Sequence, residues 1–587
     1  MSSGRQKFLG EGAGEGSAWS LLLRVGRDLL KYKGLLALVA ASIAAYTLTT
    51  LYAPYVLGEI IDTYIVGRDV RGLAMMCGVY LALLVGQWAS MTGNSYTIQM
   101  VGQYYLRDLR NAVFTKLQRL TMKFFSERRI GDLVSATIND TSTLNDVLIS
   151  GILSVLGNLI SLVGIIAIMI YLSPTLTAVS LATLPALVFI ARFFGRKLKE
   201  AHRVARRKVA ESTMIVEESI SGVEAIKAFG REYDFIKSFA DVSSETSKAY
   251  VKIAKLMGLF WPSMDSTVTL SVIIVLVFGA YLISVNAATI GLVVAFIQYV
   301  NRLGRPITQF INMYDSLQAA IAAAERIYAV VDSEEEEIGG SKIIPNPRGE
   351  VLVRNVTFSY IPGREVLKHV NLHIKAGETV AIVGKTGAGK TTLANLLMRF
   401  YDPDEGEILL DGMNIKELKL DFLRKVISYV PQETYLFPGT VMDNIRLGGP
   451  DASDEEVIEV CKELGIDSFI ERLPKGYLTD AGEMGKKLST GEKQLIAIAR
   501  AMLRNPALVI LDEALSSVDP GTEGIVRNAM RRLMKGRTGI IIAHRLTTAA
   551  DADRIVVIDA GRIVEEGTHE ELMKMKGKYY DLWISSE

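Results

Sequence analysis

Two rhythms divide this chain. Up to about position 300 its apolar residues fall in runs long enough to cross a bilayer, which takes roughly 20 residues each; beyond about 345 they fall in short blocks separated by amphipathic stretches. The long runs occupy residues 34–58, 71–94, 147–172, 174–194, 260–283 and 289–300 with its continuation, which predicts six membrane-spanning helices. Ahead of them, WSLLLRVGRDLLKYK sets Trp19, Leu22, Leu23, Leu29 and Leu30 against Arg24, Arg27, Lys31 and Lys33, the pattern of an amphipathic helix lying at a membrane surface. The run that follows is too long for a signal peptide and has no small-residue cleavage site after a short apolar core. The segments after the second and fourth spans read helically and are too long for ordinary loops, so the helices should continue past the bilayer. Each has a turn signal near its middle, SERRIGDLVS from Ser126 and AFGREYDFIKSF from Ala228, a candidate contact with a soluble domain.

In the second rhythm EVLVRNVTFSY, ETVAIVG, ALVILDE, GIIIAHR and RIVVIDA alternate with helical runs, which predicts an α/β domain with a mainly parallel sheet. The stretch DSEEEEIGGSKIIPNPRG between the two regions is acidic, then carries Gly and Pro, and reads as a linker. The expected organisation is a cytoplasmic segment with the interfacial helix over 1–33, a membrane domain over 34–331, a linker over 332–344 and a soluble domain over 345–587.

Charge and composition sharpen this. At 587 residues the chain exceeds a single core, and the 49% hydrophobic content is accommodated by the spans. Basic residues crowd behind the second span (Arg107, Arg110, Lys116, Arg119, Lys123, Arg128, Arg129) and the fourth (Arg192, Arg196, Lys197, Lys199, Arg203, Arg206, Arg207, Lys208), which places those sides in the cytoplasm. A net charge of +1 gives no argument for a nucleic-acid partner. Two cysteines, Cys77 and Cys461, supply neither a disulfide framework nor a metal cluster, and are expected to be small buried side chains.

The soluble domain carries the chemistry. Residues 384–391, GKTGAGKT, follow the strand ETVAIVG and precede a helix, where a phosphate loop must sit. Gly384, Lys385, Thr386, Gly387, Ala388 and Gly389 offer backbone to wrap phosphates, Lys390 neutralises the β and γ groups, Thr391 can hold Mg²⁺, and Thr392 continues into the helix. ALVILDE ends in Asp512, placed for the Mg²⁺ shell, and Glu513, placed to take a proton from attacking water. His544 ends another strand, where such sheets collect ligands. Gln432 offers an amide toward Mg²⁺ or water, and Tyr360 a ring for adenine. A second anion seat opens the helix of KKLSTGEKQLIAIARAML: Ser489 and Glu492 make an S-x-x-E capping box, and amides point outward at Thr490 and Gly491.

GKTGAGKT, VPQETYLFPGTVMDNI, LSTGEKQL, LVILDEALSSVD and IIAHRL, in that order behind six spans, resemble an ATP-binding cassette exporter of the half-transporter type, along nearly the whole chain. The resemblance implies that Tyr360 stacks on adenine, Gln432 senses the nucleotide for the membrane domain, Glu513 is the catalytic base, His544 the γ-phosphate switch, and Asp519 a link between two nucleotide sites. It implies that Glu483, in TDAGEMGKK, contacts the cytoplasmic helical loops. It also implies ATP and Mg²⁺ as cofactors, the cytoplasmic membrane as location, and a dimer in which each signature helix closes over the other subunit's ATP. Here the signature departs from LSGGQ: Thr490 replaces a glycine and Glu492 the glutamine, with Gly491 kept. A modified signature beside an intact Glu513 resembles one half of a heterodimer, so a second half-transporter is the expected partner, with a homodimer as the alternative.

The implied activity is ATP-driven export of amphipathic compounds; a gated channel without pumping is the alternative. Asp265 inside the fifth span and Arg302 in the continuation of the sixth each cost about 2.5 to 3.5 kcal/mol if placed at a bilayer centre and are expected to face a wet cavity. Trp261 and Gln298, with Gln87, Trp88 and Tyr299, are candidate cargo contacts, although Trp and Tyr also anchor interfaces.

Overall fold

A computed structural model describes residues 15–512, 520–543 and 545–586. The chain divides into two compact units, one holding the described residues up to Gln118 together with Arg129–Ser333, the other Arg119–Arg128 together with those from Glu334 onward.

The first unit is helical. Helix α1 (Glu15–Leu29) leads to α2 (Lys33–Glu59) and α3 (Val70–Leu117); after the turn region come α4 (Leu153–Leu172), α5 (Pro174–Leu181), α6 (Leu184–Ser221), α7 (Glu232–Ser284) and α8 (Ile290–Val331). Five helical stretches among the described residues are long and apolar enough to cross a membrane: Leu23–Ile65, Val70–Leu117, Val155–Leu172, Pro174–Ser221 and Glu232–Ser284. A shorter apolar piece, Ile290–Gly304, opens α8. The expected extensions are present, since α3, α6 and α7 run 48, 38 and 53 residues, well beyond a bilayer. The joints are capped by their own residues: Ser173 accepts from Leu176 N with Pro174 following, and Thr289 accepts from Leu292 N.

Packing in this unit depends on close approach. The Gly291 amide donates to Asp62 Oδ1 at 2.7 Å, and a Cβ on Gly291 would stand 2.0 Å from the Gly58 carbonyl oxygen. Helix α1 is held by charge: Arg24 makes a two-pronged pair with Asp332 at 2.7 and 2.8 Å, its guanidinium 4.0 Å over the Tyr328 ring. Cys77 is exposed on α3, against expectation, because its helix turns an apolar face outward; Cys461 is buried as expected.

In the second unit the strands are β1 (Val351–Phe358), β2 (Leu367–Ile374), β3 (Thr379–Val383), β4 (Glu405–Leu410), β5 (Met413–Asn414), β6 (Ile427–Val430), β7 (Leu508–Asp512), β8 (Thr538–Ile542), β9 (Arg554–Asp559) and β10 (Arg562–Gly567). Among the described residues they form two sheets, not one. The order β10-β9-β3-β8-β7-β6 is parallel except for β10, and β2-β1-β4-β5 is antiparallel throughout. The patterns explain the split. β7 and β8 are buried at every position, as strands covered on both faces must be, whereas β2 alternates buried and exposed along its second half. Alternate residues of the central strands feed two cores: Ala381, Val383, Val509 and Leu511 lie in one, Val380, Ile382, Leu508 and Ile510 in the other.

The acidic run after α8 is not a free tether. Glu336 pairs with Arg424 at 2.6 and 2.9 Å, and its amide donates to the Arg119 carbonyl at 2.7 Å.

Candidate functional site

β3 delivers the chain into the 384–389 loop, and the loop into helix α9 (Lys390–Leu397). Gly384 has φ +154° and a Cβ there would meet the Ile558 carbonyl oxygen at 2.1 Å; Gly389, at φ +110°, is the residue before the helix. Neither position admits a side chain, which is why glycine stands at both. Lys390, 4% exposed, donates from Nζ to the carbonyls of Gly384 at 2.7 Å and Lys385 at 3.2 Å, which holds its charge inside the curl of the loop. Lys385, Thr386, Gly387 and Thr391 are exposed at the mouth, Ala388 and Thr392 are buried beneath it. Backbone amides, a helix N-terminus and one enclosed ammonium make a receptor for a polyphosphate.

Tyr360 stands beside α9. Its hydroxyl donates to Thr392 Oγ1 at 3.3 Å and accepts from Asn395 Nδ2 at 3.2 Å, and its ring packs edge-on to Phe358 and Tyr401 at 4.9 and 5.1 Å. At 39% exposure part of the ring remains open to a ligand. Asp512, at the end of β7, is 3% exposed and accepts from the Tyr429 hydroxyl at 3.0 Å. Burial, with the Asp512 charge behind it, pushes the Tyr429 phenol above its usual range, so it stays a proton donor toward that carboxylate. Only β8 separates β7 from β3, so Asp512 and the loop leave the same sheet two strands apart. Asp512, Thr391 and Gln432 carry the side-chain oxygens here that suit a magnesium ion. Glu513, Asp519 and His544 lie outside the described residues.

Gln432 follows β6 with its side chain exposed, while its carbonyl accepts from Gln494 Nε2 at 3.0 Å. Gln494 sits on helix α10 (Thr490–Leu503), the predicted signature helix, and is 2% exposed. Neither Tyr429 nor Gln494 stood out in the sequence. The available signal was a polar residue inside an otherwise apolar helix face, Gln494 next to Leu495 and Ile496.

The capping box forms. Ser489 Oγ accepts from Glu492 N at 3.3 Å and Glu492 Oε2 from Ser489 N at 2.6 Å, which leaves the amides of Thr490 and Gly491 without an acceptor inside the helix. Gly491 is buried and Thr490 exposed. The two anion seats stand on different faces of the sheet: Leu393 and Leu396 of α9 pack in the core with Val380 and Ile382, Leu495 and Ile498 of α10 in the one with Ala381 and Val383. Glu483 is exposed in a short turn flanked by Gly482 and Met484, both at positive φ.

In the helical unit the predicted cavity residues separate. Asp265 and Trp261 are exposed on α7, and Trp88 on α3. Arg302 donates to the Thr50 carbonyl at 2.7 Å, and that carbonyl is the one Pro54, four residues on and lacking an N–H, leaves unpaired in α2. Gln87 donates to Thr50 Oγ1 at 3.0 Å, and Tyr299, fully buried, to the Leu51 carbonyl at 2.7 Å. Gln298 is half-buried beside them.

Comparison with known proteins gives two family matches: residues 36–307 match the ABC transporter transmembrane region and residues 367–516 the ABC transporter domain. The chain is 38% identical over 96% of its length to the uncharacterised ABC transporter ATP-binding protein YfiC of Bacillus subtilis, covering 94% of it. It is 37% identical over 87% of its length to a fatty acid ABC transporter ATP-binding/permease protein of Mycobacterium tuberculosis, covering 80% of that protein. The structure of a bacterial Atm1-family ABC exporter with ATP bound matches with a TM-score of 0.76 at 30% identity, over 94% of this chain and 98% of that one.

Proposed function

The chain belongs to the ATP-binding cassette exporters, and from that premise we propose that it moves drug- or lipid-like amphipathic compounds out across the cytoplasmic membrane by alternating access, as one half of a dimer. It is a multi-pass membrane protein whose ATP-binding domain is cytoplasmic and whose ATPase is coupled to transport. The observation that carries the proposal is the enclosed Lys390 in its glycine curl at the head of α9, a seat for the phosphates of ATP. The dimer rests on the second seat, at Ser489 to Glu492, whose helix packs on the other face of the sheet. Its ligand is the nucleotide of a facing subunit.

Thr391, Gln432 and Asp512 would hold Mg²⁺, which when bound neutralises charge on the transferred phosphoryl group. Lys390 binds the phosphates, Tyr360 orients the base, and Glu513 takes the proton of the attacking water. The family resemblance gives His544 the role of γ-phosphate switch and Asp519 that of a link between the two nucleotide sites. Because Thr490 and Glu492 modify the signature while Glu513 is present, the hydrolysing site pairs this chain's phosphate loop with the standard signature of a different half-transporter. Nucleotide binding closes the two ATP-binding domains, hydrolysis parts them, and the membrane helices rock between two states. Asp265, Trp261 and Gln298 are offered as cargo contacts, while Arg302 is spent on the Thr50 carbonyl of α2. One relative is named as a fatty acid transporter, and a cargo of that amphipathic kind suits this reading.

The test is Glu513→Gln in proteoliposomes. Hydrolysis should fall by about 10² to 10⁴ with ATP binding intact, and ATP-dependent movement of a fluorescent lipid analogue should stop with it. Near-normal turnover would remove Glu513 from the mechanism, and full turnover without cargo movement would remove export.

A further inference from the structure

Helices α6 and α7 make the most extensive packing in the helical unit, and where they meet their surfaces change character together. Phe194 of α6 lies 5.8 Å from Phe260 of α7, which fixes one level on both helices. At that level four rings form a ladder: Phe189 to Phe193 at 6.0 Å, Phe193 to Phe194 at 5.4 Å, then Phe260. Phe189 and Phe193 keep 68% and 43% of their surface open. Toward the spans both helices are apolar; away from them both are basic.

The basic side is ordered. Arg192, Arg196, Lys199, Arg203 and Arg206 follow the 4-3-4-3 spacing that lines up on one helix face, while Ala201 and Ala205, on another face, pack with Ile253 of α7. Residues 184–207 hold Arg192, Arg196, Lys197, Lys199, Arg203, Arg206 and Arg207 against a single carboxylate, Glu200, and residues 246–259 of α7 add Lys248, Lys252 and Lys255 with none, while Lys208 is paired with Glu211 and Glu245 at 2.7 Å each. Arg192, Arg196 and Arg203 are exposed. Lys197 reaches back so that its ammonium sits 4.1 Å over the Phe193 ring, joining collar to ladder.

We propose that this collar and ladder bind the headgroup of an anionic glycerophospholipid of the cytoplasmic leaflet. Rings at a hydrocarbon boundary, with exposed arginines starting beside them at Arg192 and continuing away from the spans at Arg196 and Arg203, match the two layers such a lipid presents, acyl chain above and phosphate below. A soluble anion would have no use for the open rings, and a polar subunit surface would leave them facing water.

The test compares nanodiscs of phosphatidylcholine with nanodiscs holding equal phosphatidylcholine and phosphatidylglycerol, reading the lipids that remain with the whole protein by native mass spectrometry. Wild type should retain phosphatidylglycerol over phosphatidylcholine by about fivefold or more. The triple variant Arg192→Gln, Arg196→Gln, Arg203→Gln should bring that ratio close to one, and the matching triple lysine variant should keep it, both at wild-type basal turnover in detergent. If the triple glutamine variant does not fold, Arg196→Gln alone should roughly halve the enrichment. Undiminished enrichment in the variants overturns the proposal. So does a change confined to cargo-stimulated turnover in pure phosphatidylcholine, which would make the stripe part of a cargo path, or a change in subunit assembly, which would make it an interface.

Discussion

Glu492 is a residue whose two possible jobs have different chemical requirements. As the third helical residue it caps Ser489 N, a task glutamine also performs and alanine does not. Glu492→Gln should therefore leave the start of α10 intact, and Glu492→Ala should release roughly 1 kcal/mol of cap, seen as amide exchange about fivefold faster over 489–493. The box could be read beforehand because its partners are three residues apart. Arg302 could not, since its role depends on a carbonyl freed by Pro54 some 250 positions away. The cysteines make a second contrast. Burial raises the Cys461 thiol to about 11 from 9.0. A proton held more tightly in the folded chain contributes stability fully below pH 9, and that contribution is lost as pH rises toward 11. In the native protein Cys461 labelling by a maleimide should stay negligible up to about pH 9, whereas a membrane-permeant maleimide should reach Cys77 on the outer face of α3. Equal labelling of both would contradict the burial.

Helix contacts in the membrane unit leave glycines with opposite expectations. Gly291 faces backbone: an added methyl would lie 2.0 Å from the Gly58 carbonyl oxygen and 2.6 Å from Asp62 Oδ2, so Gly291→Ala must push α8 off α2. Overpacking of that kind costs about 1 to 3 kcal/mol. At Gly304 the nearest atom would be Val268 Cγ2 at an ordinary 3.5 Å, so Gly304→Ala gains helix propensity of about 0.5 to 1 kcal/mol and loses nothing. Melting of the purified protein in detergent should move down several degrees for the first and slightly up for the second. Among elements, the helices and the parallel strands were legible because each carries its period within itself. The antiparallel sheet was not: VLVRNVTF looks like any strand, and its pairing with Glu405–Leu410, some fifty residues later, leaves no local mark. Alternation in LKHVNLHI was the available sign that one face was less covered than in LVILD.

At the scale of the whole molecule the question is which chain completes which site. The phosphate loop and the signature helix lie on opposite faces of one sheet, and in the dimer proposed above a chain supplies the floor of one ATP site and the lid of another. Two substitutions separate these contributions. Lys390→Ala removes the ammonium from the floor and should reduce hydrolysis by about 10² or more. Gly491→Glu puts a carboxylate into the lid, where a phosphate would otherwise approach the amides of α10. In a homodimer each variant alone should be inactive, yet an equal mixture should recover about a quarter of wild-type turnover, since half of the random dimers are mixed and each mixed dimer holds one site with both parts sound. In the heterodimer proposed above, with the second half-transporter co-purified, Lys390→Ala should abolish hydrolysis and Gly491→Glu should leave it nearly untouched, because this chain's lid covers the site without a catalytic glutamate. Recovery in the mixture would replace the heterodimer by a homodimer. If Gly491→Glu left turnover intact in this chain purified without a partner, the shared site itself would have to be given up.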